Sequence, residues 1–211
     1  IISFGFPRSG TTLIWNILKD ILDEYIVIKT HLTQINFKNN KKIVIYRDIR
    51  NSLVSMMRSM VLDINTNVNI SLQDFIAFEN IFDNYVNHLI NMMMMKNNIV
   101  YIKYETFIKD HNVLYDVIEK EFNIIIEKEK RIETSNKYSI QKVKNICNNI
   151  DILHGNSFKN YDDKTHFHSN HISNNYENSD NELYKKYLSQ ELIEYFNIKY
   201  GGILRYFGYN A

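Results

Sequence analysis

Four short stretches carry side chains that could hold an anion or move a proton. The first is Gly5-Phe-Pro-Arg-Ser-Gly-Thr-Thr12, a tight polar turn between an apolar run and a helical pattern. Backbone amides at a strand–loop–helix junction converge on one spot, and the helix start adds positive potential. Such a turn is a cradle for phosphate or sulfate. The spacing Gly5-x-x-x-x-Gly10-Thr11-Thr12 has the outline of a P-loop, but Thr11 stands where ATP- and GTP-binding loops carry lysine. The cation lies inside the turn as Arg8, directly after the chain's only proline, Pro7, which stiffens it. That exchange points to an anion other than an ordinary Mg-bound triphosphate.

The second stretch, Lys29-Thr-His-Leu32, sets a lysine just before His31. An imidazole with an ordinary pKa of about 6.5 suits proton transfer at neutral pH. In the third, Tyr46-Arg-Asp-Ile-Arg-Asn-Ser-Leu-Val-Ser55, Arg47 ends an apolar run and Ser55 lies well inside the helix that follows. A guanidinium fork and a hydroxyl can hold a second anion beside the first. The competing role for Arg47 is an ion pair with Asp48 or a helix carboxylate. The fourth stretch is Tyr104-Glu105.

Elements must bring these together. Strand patterns run over Ile1–Phe6, Tyr25–Lys29, Lys42–Arg47 and Asn98–Tyr104. Helical patterns cover Thr11–Leu22 and about 50–60. A long amphipathic helix follows, marked by Phe75, Phe78, Phe82, Tyr85, Leu89 and Met93 and opened by a capping box at Ser71 and Asp74. Others cover Asn112–Phe122, Ile140–Asn149 and Glu182–Tyr200, the last ended by Gly201-Gly202. This alternation predicts an α/β chain with a three-layer, P-loop-type fold, its central parallel sheet flanked by helices. Ligands of such sheets sit beyond the carboxyl ends of the strands, where all four stretches fall. Residues 151–180 lose periodicity and read as a lid or flexible loop within one domain spanning 1–211.

Bulk properties narrow the function classes. With 211 residues, 45% hydrophobic, the chain can bury one substantial core. A net charge of +1 lacks the basic field of a nucleic-acid binder, so no such partner is expected. The single cysteine, Cys147, rules out an intrachain disulfide and fits a reducing compartment. No apolar run approaches the ~20 residues of a membrane span. A cytoplasmic location is expected, with a leader or anchor upstream of Ile1 left open. Oligomeric state leaves no signal.

Taken in order, the four stretches resemble the sulfotransferases that use 3′-phosphoadenosine 5′-phosphosulfate (PAPS). Gly5 to Thr12 looks like that family's 5′-phosphosulfate loop, and Tyr46 to Ser55 like its 3′-phosphate motif. Lys29-Thr-His-Leu32 is similar to the catalytic tetrapeptide of the cytosolic type, and Ile102-Lys-Tyr-Glu105 to a later strand end. The resemblance implies an enzyme moving a sulfuryl group from PAPS to a hydroxyl of a small-molecule or saccharide acceptor, releasing PAP, with no metal. It makes Arg8, Ser9, Gly10, Thr11 and Thr12 the 5′ cradle and Arg47 with Ser55 the 3′-phosphate clamp. Tyr104 is then the adenine-side contact, His31 the general base, and Lys29 with Arg8 the cations that neutralise developing charge.

The chain also departs from that family. Arg8 replaces a customary lysine, and Leu13 follows the threonines where cytosolic members carry tryptophan, with Trp15 two residues on. The family's C-terminal cofactor element has only a loose counterpart in 171–189, where Lys185 or Lys186 could supply a cation. His166-Phe-His168-Ser-Asn-His171 invites a metal reading, but no acidic or Cys partner stands at a diagnostic spacing. These histidines read better as lid contacts to cofactor or acceptor. Two other functions stay open: a P-loop kinase or nucleotide-binding protein, and an inactive protein that only binds PAP or PAPS.

Overall fold

The computed structural model describes residues 1–31, 40–60, 69–94, 98–150, 162, 164–168 and 182–211, with backbone alone at 58–60. Four strands, β1 (Ile2–Gly5), β2 (Ile28–Thr30), β3 (Lys42–Tyr46) and β4 (Ile99–Lys103), form one sheet in the order β2-β1-β3-β4. Every pairing is parallel. Register aligns the strand ends: Gly5 pairs with Ile45, and Tyr46 with Lys103. His31, Arg47 and Tyr104, each just past a strand, therefore emerge along one edge.

Alternation along the strands divides the core in two. Phe4 and Val44 join one apolar cluster and Ile43, Ile45 and Ile102 the other. The first cluster packs on α2 (Ile49–Met60), α4 (Glu79–Met94) and α10 (Gln190–Tyr206), through Leu53, Phe82 and Phe196 among others. The second lies under α1 (Thr11–Ile21), α6 (Asn112–Phe122) and α8 (Ile140–Asn148), through Ile14, Ile118 and Val143. Helices on both faces of a parallel sheet make the expected three layers. Among the described residues no helix is long and apolar enough to cross a membrane.

Several boundaries differ from expectation. The second strand starts at Ile28 rather than Tyr25, because the preceding backbone is held elsewhere. Tyr25 N–H donates to Leu22 O at 2.9 Å, and the Trp15 indole donates to Val27 O at 3.0 Å. The long helix breaks into α3 (Leu72–Ile76) and α4, although the capping box forms: Ser71 Oγ accepts from Asp74 N and Asp74 Oδ2 from Ser71 N. The helix of the C-terminal region starts twice, as α9 (Leu183–Tyr187) and again as α10 behind the N-cap Ser189. Nor does it stop at Gly201-Gly202. Glycine in a helix costs about 1 kcal/mol, whereas burying Ile203 and Leu204 returns about 1.5–3 kcal/mol each. The helix α7 (Lys128–Lys137) has no apolar stripe to announce it. It is fastened by Arg131 on Asp116 and Glu119 and by Lys137 on Asp20. The stretch at α5 (Tyr104–Phe107) completes the turn out of β4.

Candidate anion-binding site at the strand ends

The chain leaves β1, visits the edge strand β2, then crosses to β3 on the other side of β1. A reversal of this kind opens a crevice at the carboxyl ends of the two central strands. The loop after β1 and the end of β3 both lie there, bringing Arg8 and Arg47 together.

Two residues of the loop take left-handed backbone angles, Arg8 at φ 66° and Gly10 at φ 91°. Left-handed residues among right-handed ones turn successive amides to one side, as an anion nest requires. Gly10 is required twice over, since a Cβ there would also lie 2.7 Å from the Tyr104 ring. A Cβ on Gly5 would lie 2.4 Å from Thr11 Oγ1, so the bare glycine lets the helix start sit close on the strand. Ser9 faces inward: its amide and its hydroxyl both donate to Phe6 O, at 3.1 and 2.6 Å. What Ser9 contributes in this structure is the shape of the loop.

Arg47 is buried, 7% exposed, yet Asp48 is not its partner. Asp48 is taken by Arg50, with Nε at 3.0 Å and Nη2 at 2.7 Å from its two oxygens. Arg50 also donates to Asn197 Oδ1 at 2.9 Å and lies over the Tyr184 ring. Arg47 instead donates to Arg8 O at 3.1 Å and lies 4.6 Å over Tyr104. Its buried Nε has no hydrogen-bond partner among the described residues. A buried charged donor without an acceptor costs free energy until an anion fills the place. Arg8 Nε donates to Ser55 Oγ at 3.0 Å, linking loop to helix α2. Burial first, and Arg47 second, pull the Arg8 guanidinium down to about 10, so it stays charged at neutral pH.

The edge strand brings Lys29 and His31 to the same end of the sheet. Lys29 Nζ donates to Thr12 Oγ1 at 3.3 Å, and burial lowers its pKa. The His31 Nδ1 lies 2.8 Å from Gly5 O. A carbonyl only accepts, so Nδ1 carries the hydrogen and Nε2 the lone pair. Burial lowers the His31 pKa, the Gly5 bond opposes this, and Lys29 lowers it further. The imidazole is therefore a neutral base at pH 7.

Of the residues singled out in the sequence, the structure gathers Arg8, Gly10, Arg47, Ser55 and Tyr104 on one side. Thr12, Lys29 and His31 lie on the other, with Ser9 and Thr11 turned inward. The contacts of Tyr104 are with Gly10 and Arg47. Glu105 has a structural task, accepting from Asp48 N–H and from the Tyr209 hydroxyl. Lys185 pairs with Glu182. Leu32, His171 and most of the expected lid lie outside the described residues. Among those described, no group of three or more His, Cys, Asp or Glu is placed to hold a metal.

Sequence reasoning missed Asn16. Its amide donates to Thr12 O at 2.8 Å and to Thr165 O at 2.7 Å, tying the segment 164–168 to the first turn of α1. Beside it His166 lies against the Trp15 ring, with centroids 4.5 Å apart. No local pattern announces a contact between residues so far apart in the chain.

The fold is similar to that of a sulfotransferase of known structure. The crystal structure of mouse sulfotransferase SULT7A1 complexed with PAP superposes with a TM-score of 0.65 at 16% sequence identity, covering 97% of this chain and 83% of that one. At such identity the likeness is one of fold. No sequence-family model matches the chain, and no curated protein does.

Proposed function

We propose that the protein is a PAPS-dependent sulfotransferase acting on a hydroxyl of a small-molecule or saccharide acceptor. The observation that carries this reading is Arg47, a buried guanidinium with an unpartnered Nε at the crevice between β1 and β3. A P-loop sufficient for a 5′-phosphate has no use for such a group; a nucleotide with a 3′-phosphate has. That a sulfotransferase of this fold is complexed with PAP supports the same assignment.

PAPS supplies the sulfuryl group, and PAP is the product left behind. The loop amides, with the side chains of Arg8 and Thr12, hold the 5′ side at the start of α1. Arg47 and Ser55 hold the 3′-phosphate, where a charge-assisted pair contributes about 1.5–3 kcal/mol. Tyr104 buttresses Gly10 and Arg47 from below and borders the adenine side. His31 receives the acceptor's proton on Nε2, while Nδ1–H on Gly5 O keeps the ring oriented. Lys29, on Thr12, stands ready for the charge that accumulates on the transferred group. The single cysteine fits work in a reducing compartment, the cytoplasm.

The test is a thermal-shift and calorimetric comparison of PAP, ADP and ATP, each with and without Mg²⁺, on the native chain and on Arg47→Ala. A ligand that binds the folded state alone raises the melting temperature. PAP should stabilise without metal, and Arg47→Ala should weaken it roughly 10- to 100-fold. A preference for Mg-ATP, or equal PAP affinity in Arg47→Ala, would overturn the reading. Transfer from PAPS to a panel of hydroxyl acceptors then separates an enzyme from a protein that only binds.

A further inference from the structure

The ladder between β3 and β4 ends at the pair Tyr46–Lys103, because the chain after Lys103 turns into α5. Beyond it the amide of Asp48, a residue only 2% exposed, finds a side chain instead of a strand: Glu105 Oε1 accepts from it at 3.2 Å. Asp48 caps α2, its Oδ1 accepting from Arg50 N–H at 2.9 Å and its carbonyl from Ser52 N–H at 3.0 Å. In a capping box the cap's own N–H is held by the third residue of the same helix. Asn51 stands there and accepts from Tyr184 N–H instead, so the acceptor for Asp48 comes from the neighbouring strand end.

The other oxygen of Glu105 is bound from the C-terminal helix. After α10, Gly208 takes a left-handed φ of 75°, with Gly208 N–H on Arg205 O at 3.0 Å and Tyr209 N–H on Leu204 O at 2.9 Å. This Schellman turn folds the following residues back onto the end of β3. Phe207 stacks on Tyr46 with centroids 4.3 Å apart, and the Tyr209 hydroxyl donates to Glu105 Oε2 at 2.8 Å. Burial first, then the Glu105 charge, raise the Tyr209 pKa, so the phenol remains a donor.

We propose that Glu105 and Tyr209 are positioning residues for Arg47: they fix the peptide between Arg47 and Asp48 and so aim the guanidinium at the 3′-phosphate, which neither of them touches. This rests on the 3′-phosphate reading given above and adds two residues to it. Arg47 leaves the backbone between two anchored points, Tyr46 in register with Lys103 and Asp48 on Glu105. Its guanidinium is then steadied by Arg8 O and the Tyr104 ring, and Tyr104 precedes Glu105 on α5. One carboxylate thus fastens both strand ends that carry the clamp. It is spent on two neutral donors, so what it offers Arg47 is geometry. A group held in its binding position beforehand loses less freedom when the ligand arrives.

Calorimetry of PAP on the intact chain tests this in double-mutant cycles with Arg47→Ala. Glu105→Ala is expected to weaken PAP roughly 10-fold, and Tyr209→Phe, which removes one hydroxyl, about 3-fold. In the Arg47→Ala background neither substitution should weaken PAP further. Glu105→Gln should bind within about twofold of the native chain, since its amide oxygen keeps Asp48 N–H while its NH2 donates to the Tyr209 oxygen. Losses that persist in Arg47→Ala would mean general loosening of the site, and a Glu105→Gln as weak as Glu105→Ala would mean a role for charge. Either overturns the inference. Should Glu105→Ala fail to fold, the Tyr209→Phe cycle decides alone. PAP binding that needs Arg47 yet is unmoved by Glu105→Ala and Tyr209→Phe also overturns it and leaves the sulfotransferase reading standing. Absence of PAP binding, or binding indifferent to Arg47, overturns both.

Discussion

A single hydrogen bond decides what His31 can do. With Nδ1 committed to Gly5 O, the base is Nε2, and burial keeps it unprotonated at neutral pH. His31→Ala is therefore expected to slow transfer about 10²–10⁴-fold while leaving PAP affinity within threefold, a split that steady-state kinetics and calorimetry resolve together. The pH profile carries a sign. The base must be neutral, so activity falls on the acid side, below the ordinary histidine pKa of about 6.5, and is flat through pH 7. An acid limb centred above 7 would mean that another group takes the proton. Arg47 was separable from Arg50 only in three dimensions. Both follow the same strand beside one aspartate, and the structure gives Asp48 to Arg50.

At the scale of elements, the site depends on how strand ends and helix starts are fastened. The β1 loop keeps its shape because Gly10 tolerates φ 91° and leaves room for Tyr104. Gly10→Ala should lose about 1–2 kcal/mol from the backbone angle alone, read as a lower urea midpoint. Adding Tyr104→Ala should recover the steric part and not the backbone part, so a double-mutant cycle separates them. Full additivity would show that Tyr104 does not buttress the loop. The junction of β3 and α2 is fastened by the buried Asp48–Arg50 pair, both side chains 3% exposed. Asp48→Asn leaves a buried guanidinium without its countercharge and is expected to cost about 3–5 kcal/mol in denaturant unfolding. A loss under 1 kcal/mol would show that Asn197 and Tyr184 suffice to hold Arg50.

Acid sensitivity belongs to the whole molecule. Burial lowers the pKa of His31, His88, His111 and His168, the last to about 4. Above about pH 6.5 these rings are neutral in both folded and unfolded chains and contribute nothing to pH dependence. Below it the unfolded chain binds protons first, so stability falls progressively from about pH 6.5 towards the lower folded values. The melting temperature should drop between pH 7 and pH 5, and His88→Leu should make that drop smaller by removing a core histidine that packs on Phe4. An unchanged pH slope in His88→Leu would assign the sensitivity to the other three.

Much of this was legible in the chain itself. Period-two and period-3.6 patterns set the α/β class, and local chemistry marked the loop, the capping box at Ser71 and the strand ends carrying Lys29, His31, Arg47 and Tyr104. Those features are written within a few residues, because strand pleat, helix pitch and turn chemistry are local. What tertiary structure decided was partnership. It continued α10 through Gly201-Gly202, because core burial outweighs two helix glycines. It held the polar α7 by ion pairs to other elements, turned Ser9 inward, and gave Asp48 to Arg50. It also carried His166 across the chain to Trp15. Each of these is a competition between groups distant in sequence, settled by burial and geometry that no short window of residues contains.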